Sequence, residues 1–127
     1  MDANLMHISY EAGILEDPAT TPPDRMWLMT TDPIEAPNSP EVIEICYKNG
    51  IPSSTTIDGN IIKGDLLIFE ALNKVACKHG VGRLDIIESR FVGMKSRGCY
   101  ETPAGTLILV SHKGNRVWQP WLFKVRS

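Results

Sequence analysis

Residues 80–105, GVGRLDIIESRFVGMKSRGCYETPAG, contain a helix end, a strand, a turn, a second extended piece and a new helix start. Gly80 is suited to close a preceding helix because it accepts a left-handed backbone. Lys78 and His79 place cations in that helix's last turn, where the helix dipole is negative. Residues 83–91 carry Leu84, Ile86 and Ile87 between glycines, which predicts a short strand covered on at least one face. Glu88 stands towards the end of this strand, and a carboxylate beside an apolar run needs a partner. Gly93 and Gly98 bracket Met94, Lys95, Ser96 and Arg97, so the backbone is expected to turn there and expose successive amides. Thr102 followed by Pro103 is a helix start, with Thr as the cap and Pro in the first helical position. The turn then carries Tyr100 back towards Glu88, and an acid and a phenol converging at the mouth of a sheet are suited to a small zwitterion.

Working outward, Val42, Glu44 and Cys46 alternate with Ile43, Ile45 and Tyr47, and Asn49-Gly50 supplies a tight turn into a second extended run from Ile51. A further turn at Asp58-Gly59-Asn60 leads to Ile61 and Ile62. From Asp65, the expected cap, the pattern becomes helical: Leu66, Phe69, Leu72 (or Asn73), Val75 and Ala76 fall on one stripe that ends at Gly80. Strands, hairpins and helices in this order predict an α+β fold with a mostly antiparallel sheet and packed helices. Residues 17–40 hold six prolines in 24 positions, which excludes regular helix or central strand. With Met26, Trp27, Leu28 and Met29 among them, they are expected to form a long Pro-rich N-terminal arm, extended and draped over another surface. After Pro103 a helix is expected to run through Leu107, Ile108 and Val110 to about residue 112, with Lys113-Gly114-Asn115 breaking it. The remaining residues include Trp118, Trp121, Leu122 and Phe123 without a helical or strand period. They suggest a divergent tail over 113–127 that packs elsewhere or derives from an altered splice or frame.

The balance of 13 basic and 15 acidic residues, a net charge of -2, gives no electrostatic case for nucleic acid or an anionic membrane. No apolar run approaches the roughly 20 residues of a membrane-spanning helix, and no basic-then-apolar signal opens the chain. Cys46, Cys77 and Cys99 are widely spaced, which points to reduced thiols and a cytoplasmic setting. His7, His79 and His112 lack metal-ligand spacing, so no metal site is expected, and His79 reads as a helix-end residue. Lys95 and Arg97 stand between lining an anion site with the loop amides and being two solvated cations on a turn. No nucleotide-loop or nucleophile-elbow motif is present.

Three stretches carry a resemblance to a family: MDANLMHISYEAGILEDP near the start, EALNKVACKHG, and GVGRLDIIESRFVGMKSRGCYETPAGTL. Their content and order resemble argininosuccinate synthase, over residues 1 to about 112, with the family's N-terminal, ATP-binding half absent. The resemblance implies a fragment (1–127) of the C-terminal, citrulline-binding and multimerisation domain. It implies a parent enzyme, a ligase of arginine biosynthesis and the urea cycle, that joins citrulline to aspartate. There the ureido oxygen attacks the α-phosphorus of ATP, giving a citrullyl-adenylate and pyrophosphate, and the aspartate amine displaces AMP. Homo-oligomers and Mg accompanying ATP are implied with it. By position in the motifs, Ser9 in MHISYEAG, Glu88 in IIESRF and Tyr100 in RGCYETP match citrulline contacts, Glu88 pairing with the α-ammonium. No catalytic residue and no bound cofactor are expected of these residues alone. The alternatives are a non-catalytic truncated module for binding or assembly, and a truncated product without function.

Overall fold

The computed structural model describes residues 1–89, 91–115 and 123–125. Among them the chain forms two four-stranded sheets and two α-helices, the expected α+β arrangement. The first sheet has the order β1 (Asp2–Ala3), β2 (Ile8–Tyr10), β7 (Lys95–Glu101), β6 (Arg83–Ser89). The second has the order β5 (Asn60–Ile62), β4 (Ile51–Ile57), β3 (Glu41–Lys48), β8 (Phe123–Val125). Every neighbouring pair is antiparallel.

Both anticipated hairpin turns form. Asn49 and Gly50 have φ of 53° and 80°, and Asp58 and Gly59 have φ of 49° and 78°. Two successive left-handed residues match the twist of the flanking strands, and Asn-Gly and Asp-Gly are the dipeptides that adopt this turn most readily.

Helix α1 (Asp65–Lys78) ends as its sequence suggests, with His79 as the cap residue. Gly80, at φ 66°, donates to the Cys77 carbonyl, and the Val81 amide reaches back to Ala76 at 2.9 Å, so two terminal carbonyls are satisfied. Its start differs from expectation. Gly64, at φ 97°, takes the cap position without a side-chain bond, and Asp65 is the first helical residue, acting there through its charge alone. The buried stripe is Ile68, Leu72, Asn73, Val75 and Ala76, whereas Leu66 is exposed. Packing of this stripe in the core sets the rotation of the helix and leaves Leu66 outside it.

Helix α2 (Pro103–Asn115) begins at the expected proline but runs past residue 112 through Lys113 and Gly114. One glycine in a helix costs only about 1 kcal/mol. Here the Tyr47 hydroxyl donates to the Ile108 carbonyl at 3.0 Å, and Ser111 Oγ donates to Leu107, which anchor the preceding turns. Both helices cover one face of the second sheet, where Ile43, Ile68, Leu72, Val75, Ala76, Ala104 and Leu107 form the main core. Leu72 is completely buried, so truncating it to Ala would cost about 2–5 kcal/mol. Asn73 joins the parts: its Nδ2 donates to the Leu5 carbonyl at 2.8 Å and its Oδ1 accepts from the Ala104 amide at 3.0 Å.

The β6–β7 turn is displaced from the predicted position. β6 ends at Ser89, Phe91 is fully exposed, and Lys95, Ser96, Arg97 and Gly98 are already in β7. Only Gly93, at φ 81°, turns; Gly98 is an ordinary strand residue paired with Ile86.

Residues 17–40 are not an arm extended towards another surface. They fold over one face of the first sheet, with a 3-10 turn at Asp24–Met26. There Met26 and Trp27 pack on Tyr10, Leu15 and Cys99. Prolines deny this segment a ladder of its own, so side chains of the sheet take up its backbone groups instead. Arg97 donates to the Pro18 and Thr20 carbonyls at 3.1 and 2.6 Å, and Glu101 accepts from the amides of Leu28, Met29 and Thr30.

Of the aperiodic tail, Trp118, Trp121 and Leu122 lie outside the described residues. Phe123–Val125, where no strand was expected, pairs with Glu41, Val42 and Ile43. The unpaired edge of β3 is sufficient to template so short a strand.

Candidate functional site

Strand alternation decides what meets on the first sheet. Tyr100 lies directly opposite Ser9 on one side and Leu84 on the other, while Gly98 opposes Ile86 and Ser96 opposes Glu88. Directly opposed residues of antiparallel strands share a face. Ser9, Tyr100 and Glu88 therefore stand together on the face away from residues 17–40.

The Tyr100 hydroxyl lies 3.2 Å from Glu88 Oε1 and 3.2 Å from Glu11 Oε1. Burial first, then the Glu11 and Glu88 carboxylates, push the phenol up to about 12, so it is neutral at ordinary pH. Tyr100 and Glu88, both half-buried, are thus joined as their sequence positions suggested. Ser9 joins them by register: among the described residues its hydroxyl is not bonded to either. Glu11 escaped the sequence reading. The available signal was its place two residues after Ser9, which puts both on one side of an extended segment.

The Tyr100 ring lies across Gly98. This arrangement gathers a phenol oxygen and two carboxylates on one face of the sheet. Such a set accepts hydrogen bonds from a cationic donor, and a primary ammonium with its three N–H groups is the chemical match.

The opposite face of the same strand is structural. Arg97 grips Asp85 through two bonds, Nε to Oδ1 at 2.7 Å and Nη2 to Oδ2 at 2.6 Å. This pairing holds the Asp85 carboxyl below the usual carboxylate range. Lys95 donates to Ser89 Oγ at 3.1 Å. The segment read as either an anion-binding loop or a turn with two solvated cations is therefore paired strand, and Arg97 points away from Tyr100. Glu101 is wholly buried, accepting from Tyr10 Oη at 2.6 Å and from the Thr30 amide at 2.8 Å. Burial raises its carboxyl pKa, but the donors from Thr30, Tyr10 and Met29 outweigh that and hold it below the usual value. Arg83 completes the network, donating to Thr30 Oγ1 at 2.8 Å while its guanidinium lies 4.9 Å from the Trp27 ring centre. Among the described residues, no group of three or more His, Cys, Asp or Glu is placed to hold a metal ion. No helix among them is long and apolar enough to cross a membrane.

Comparison with known proteins gives these positions a context. Residues 1–116 match a family described as "Arginosuccinate synthase C-terminal domain". The argininosuccinate synthase of Sulfurimonas denitrificans is 59% identical over 113 residues, covering 89% of this chain and 27% of that relative. The argininosuccinate synthases of Mus musculus and Homo sapiens are 57% and 55% identical over 114 residues, covering 88% of this chain and 28% of each relative. The chain thus spans little more than a quarter of the length of the curated relatives it matches. On the family match and these identities, the chain belongs to the argininosuccinate synthase family, within its C-terminal domain.

Proposed function

We propose that this chain supplies one wall of the citrulline pocket of an argininosuccinate synthase, acting in ATP-dependent ligation of citrulline and aspartate in a cytoplasmic setting. The observation that carries the reading is the 3.2 Å contact of Tyr100 with Glu88, on a face shared with Ser9. In this reading Glu88 pairs with the α-ammonium of citrulline, Tyr100 contributes its hydroxyl and its ring, and Ser9 offers a small hydroxyl to the polar end of the amino acid. These residues bind and orient; none of them forms a bond to substrate.

ATP, with its Mg, supplies the activation of the ureido oxygen when bound, and aspartate supplies the amine. Among the described residues, Arg97 is not available to cradle phosphate, being committed to Asp85 and to residues 18 and 20 on the far face. Contacts to ATP and aspartate are assigned to other parts of a synthase, and assembly into a homo-oligomer belongs to the same proposal. The alternative reading is a binding or assembly module without catalysis of its own.

Citrulline titration of the chain followed by NMR tests the reading. Shifts should concentrate at residues 9, 88 and 100, and Glu88→Gln should weaken binding on the order of tenfold to a hundredfold. Undiminished affinity in that variant would remove Glu88 from the pocket.

A further inference from the structure

The Tyr100 hydroxyl has one proton and two carboxylate neighbours at equal distance, Glu11 Oε1 and Glu88 Oε1, each at 3.2 Å. It can donate to only one of them at a time. If the proton goes to Glu88, it occupies the oxygen that an ammonium must approach, and the phenol presents a hydrogen where the ligand also presents hydrogens. If the proton goes to Glu11, Glu88 is left fully accepting and the phenol oxygen directs a lone pair at the same space. Leu84, opposite Tyr100, and Gly98, beneath its ring, have no side-chain acceptor, and among the described residues Ser9, on the other side, makes no bond to the phenol. The direction of one hydroxyl therefore determines whether the ligand ammonium meets one acceptor or two.

We propose that Glu11 is a positioning residue that takes the Tyr100 proton and so makes the phenol oxygen a second acceptor for the ammonium of the bound amino acid. The inference rests on the reading of Glu88 and Tyr100 given above and extends it to a residue outside the matched set. It makes the pocket selective for a primary ammonium, which donates to Glu88 and Tyr100 together, over an N-acylated amine, which has a single N–H and no charge. Because Glu11 acts through Tyr100, its effect on binding disappears when the hydroxyl does.

The test is a double-mutant cycle on the full 127-residue chain, with citrulline as the probe and affinity read by NMR titration. Glu11→Ala is expected to weaken citrulline binding about two- to tenfold, the range for one lost neutral hydrogen bond. Glu11→Gln, whose amide oxygen still accepts the proton, should recover most of that loss. In a Tyr100→Phe background, Glu11→Ala should change nothing further. Thermal midpoints measured beside affinity separate a loss of fold from a loss of binding in each variant. Equal losses from Glu11→Ala in both backgrounds, or no loss in the parent background, would overturn the proposal while leaving Glu88 in the pocket. If Glu88→Gln also has no effect, or the chain does not bind citrulline, the reading of the site fails together with it.

Discussion

The Tyr100 ring occupies the space that a side chain at position 98 would fill: a Cβ on Gly98 would stand 2.6 Å from the Tyr100 hydroxyl oxygen and 2.9 Å from its ring. Gly98 has an ordinary strand conformation, so its value lies in the absence of a side chain and not in backbone freedom. Gly98→Ala should lift the ring off the sheet and separate it from Glu88. Overpacking of this kind typically costs about 1–3 kcal/mol. The expected outcome is citrulline affinity at least as weak as that of Tyr100→Phe, with the strand pairing intact by amide exchange.

A second prediction places the pocket in a complete setting, with residues 1–112 joined to the N-terminal half of the Sulfurimonas denitrificans relative. Glu88→Gln should weaken citrulline on the order of tenfold to a hundredfold, because a charge-assisted bond contributes about 1.5–3 kcal/mol. Tyr100→Phe should cost less, roughly 0.5–1.5 kcal/mol, since the ring remains. ATP affinity measured beside citrulline affinity should stay constant in both. A parallel loss of the two would indicate misfolding rather than a lost contact.

The buried acid on the other face governs acid stability. Glu101 has a folded-state pKa below its ordinary value of 4.5, so the stability it confers is complete above that value and is lost as pH falls through the lowered one. Asp85 and Glu41, lowered by Arg97 and by Lys78, act in the same direction. The chain should lose stability below about pH 4.5, and Glu101→Gln should flatten that limb while lowering stability at neutral pH. An amide facing the Leu28, Met29 and Thr30 donors leaves at least one unsatisfied, at about 1–3 kcal/mol each. Denaturant midpoints of parent and variant across pH 3–7 check both parts.

Gly82 supports the junction between α1 and β6. Its φ is 106°, and a Cβ there would stand 2.7 Å from Pro103 Cα, while its carbonyl accepts from the Thr102 amide at 2.9 Å. Gly82→Ala combines backbone strain with a clash against main chain that has no rotamer to give. A loss of at least about 2 kcal/mol is expected, by thermal or urea unfolding.

Local signals were legible wherever one residue type dictates one backbone geometry. Asn49-Gly50, Asp58-Gly59, Gly80 and Pro103 all did what their chemistry requires. The turn falls before Lys95 and not around Gly98, because that glycine serves to make room for a ring two residues later. Leu66 misled because helix rotation is set by tertiary packing, to which a sequence stripe points only approximately. The site was half legible. Glu88 and Tyr100 came from the motif and from the return of the chain, but Glu11 sits far from both in sequence and joins them only through the pairing of β2 with β7. The Glu101 network was invisible for a related reason: its donors are backbone amides, which any sequence has.

Strand β7 turns Ser96, Gly98 and Tyr100 towards the candidate site and Arg97, Cys99 and Glu101 towards a packed structural surface. A strand loaded on both sides cannot change length. One inserted or deleted residue would exchange the two sets, driving the phenol under residues 28–30 and turning the buried acid out to the opposite face. By this geometry the strand should accept substitutions but not insertions or deletions, whereas the turn at residues 91–94 beside it should accept both. A library of single-residue insertions across residues 83–101 should therefore show tolerance confined to that turn.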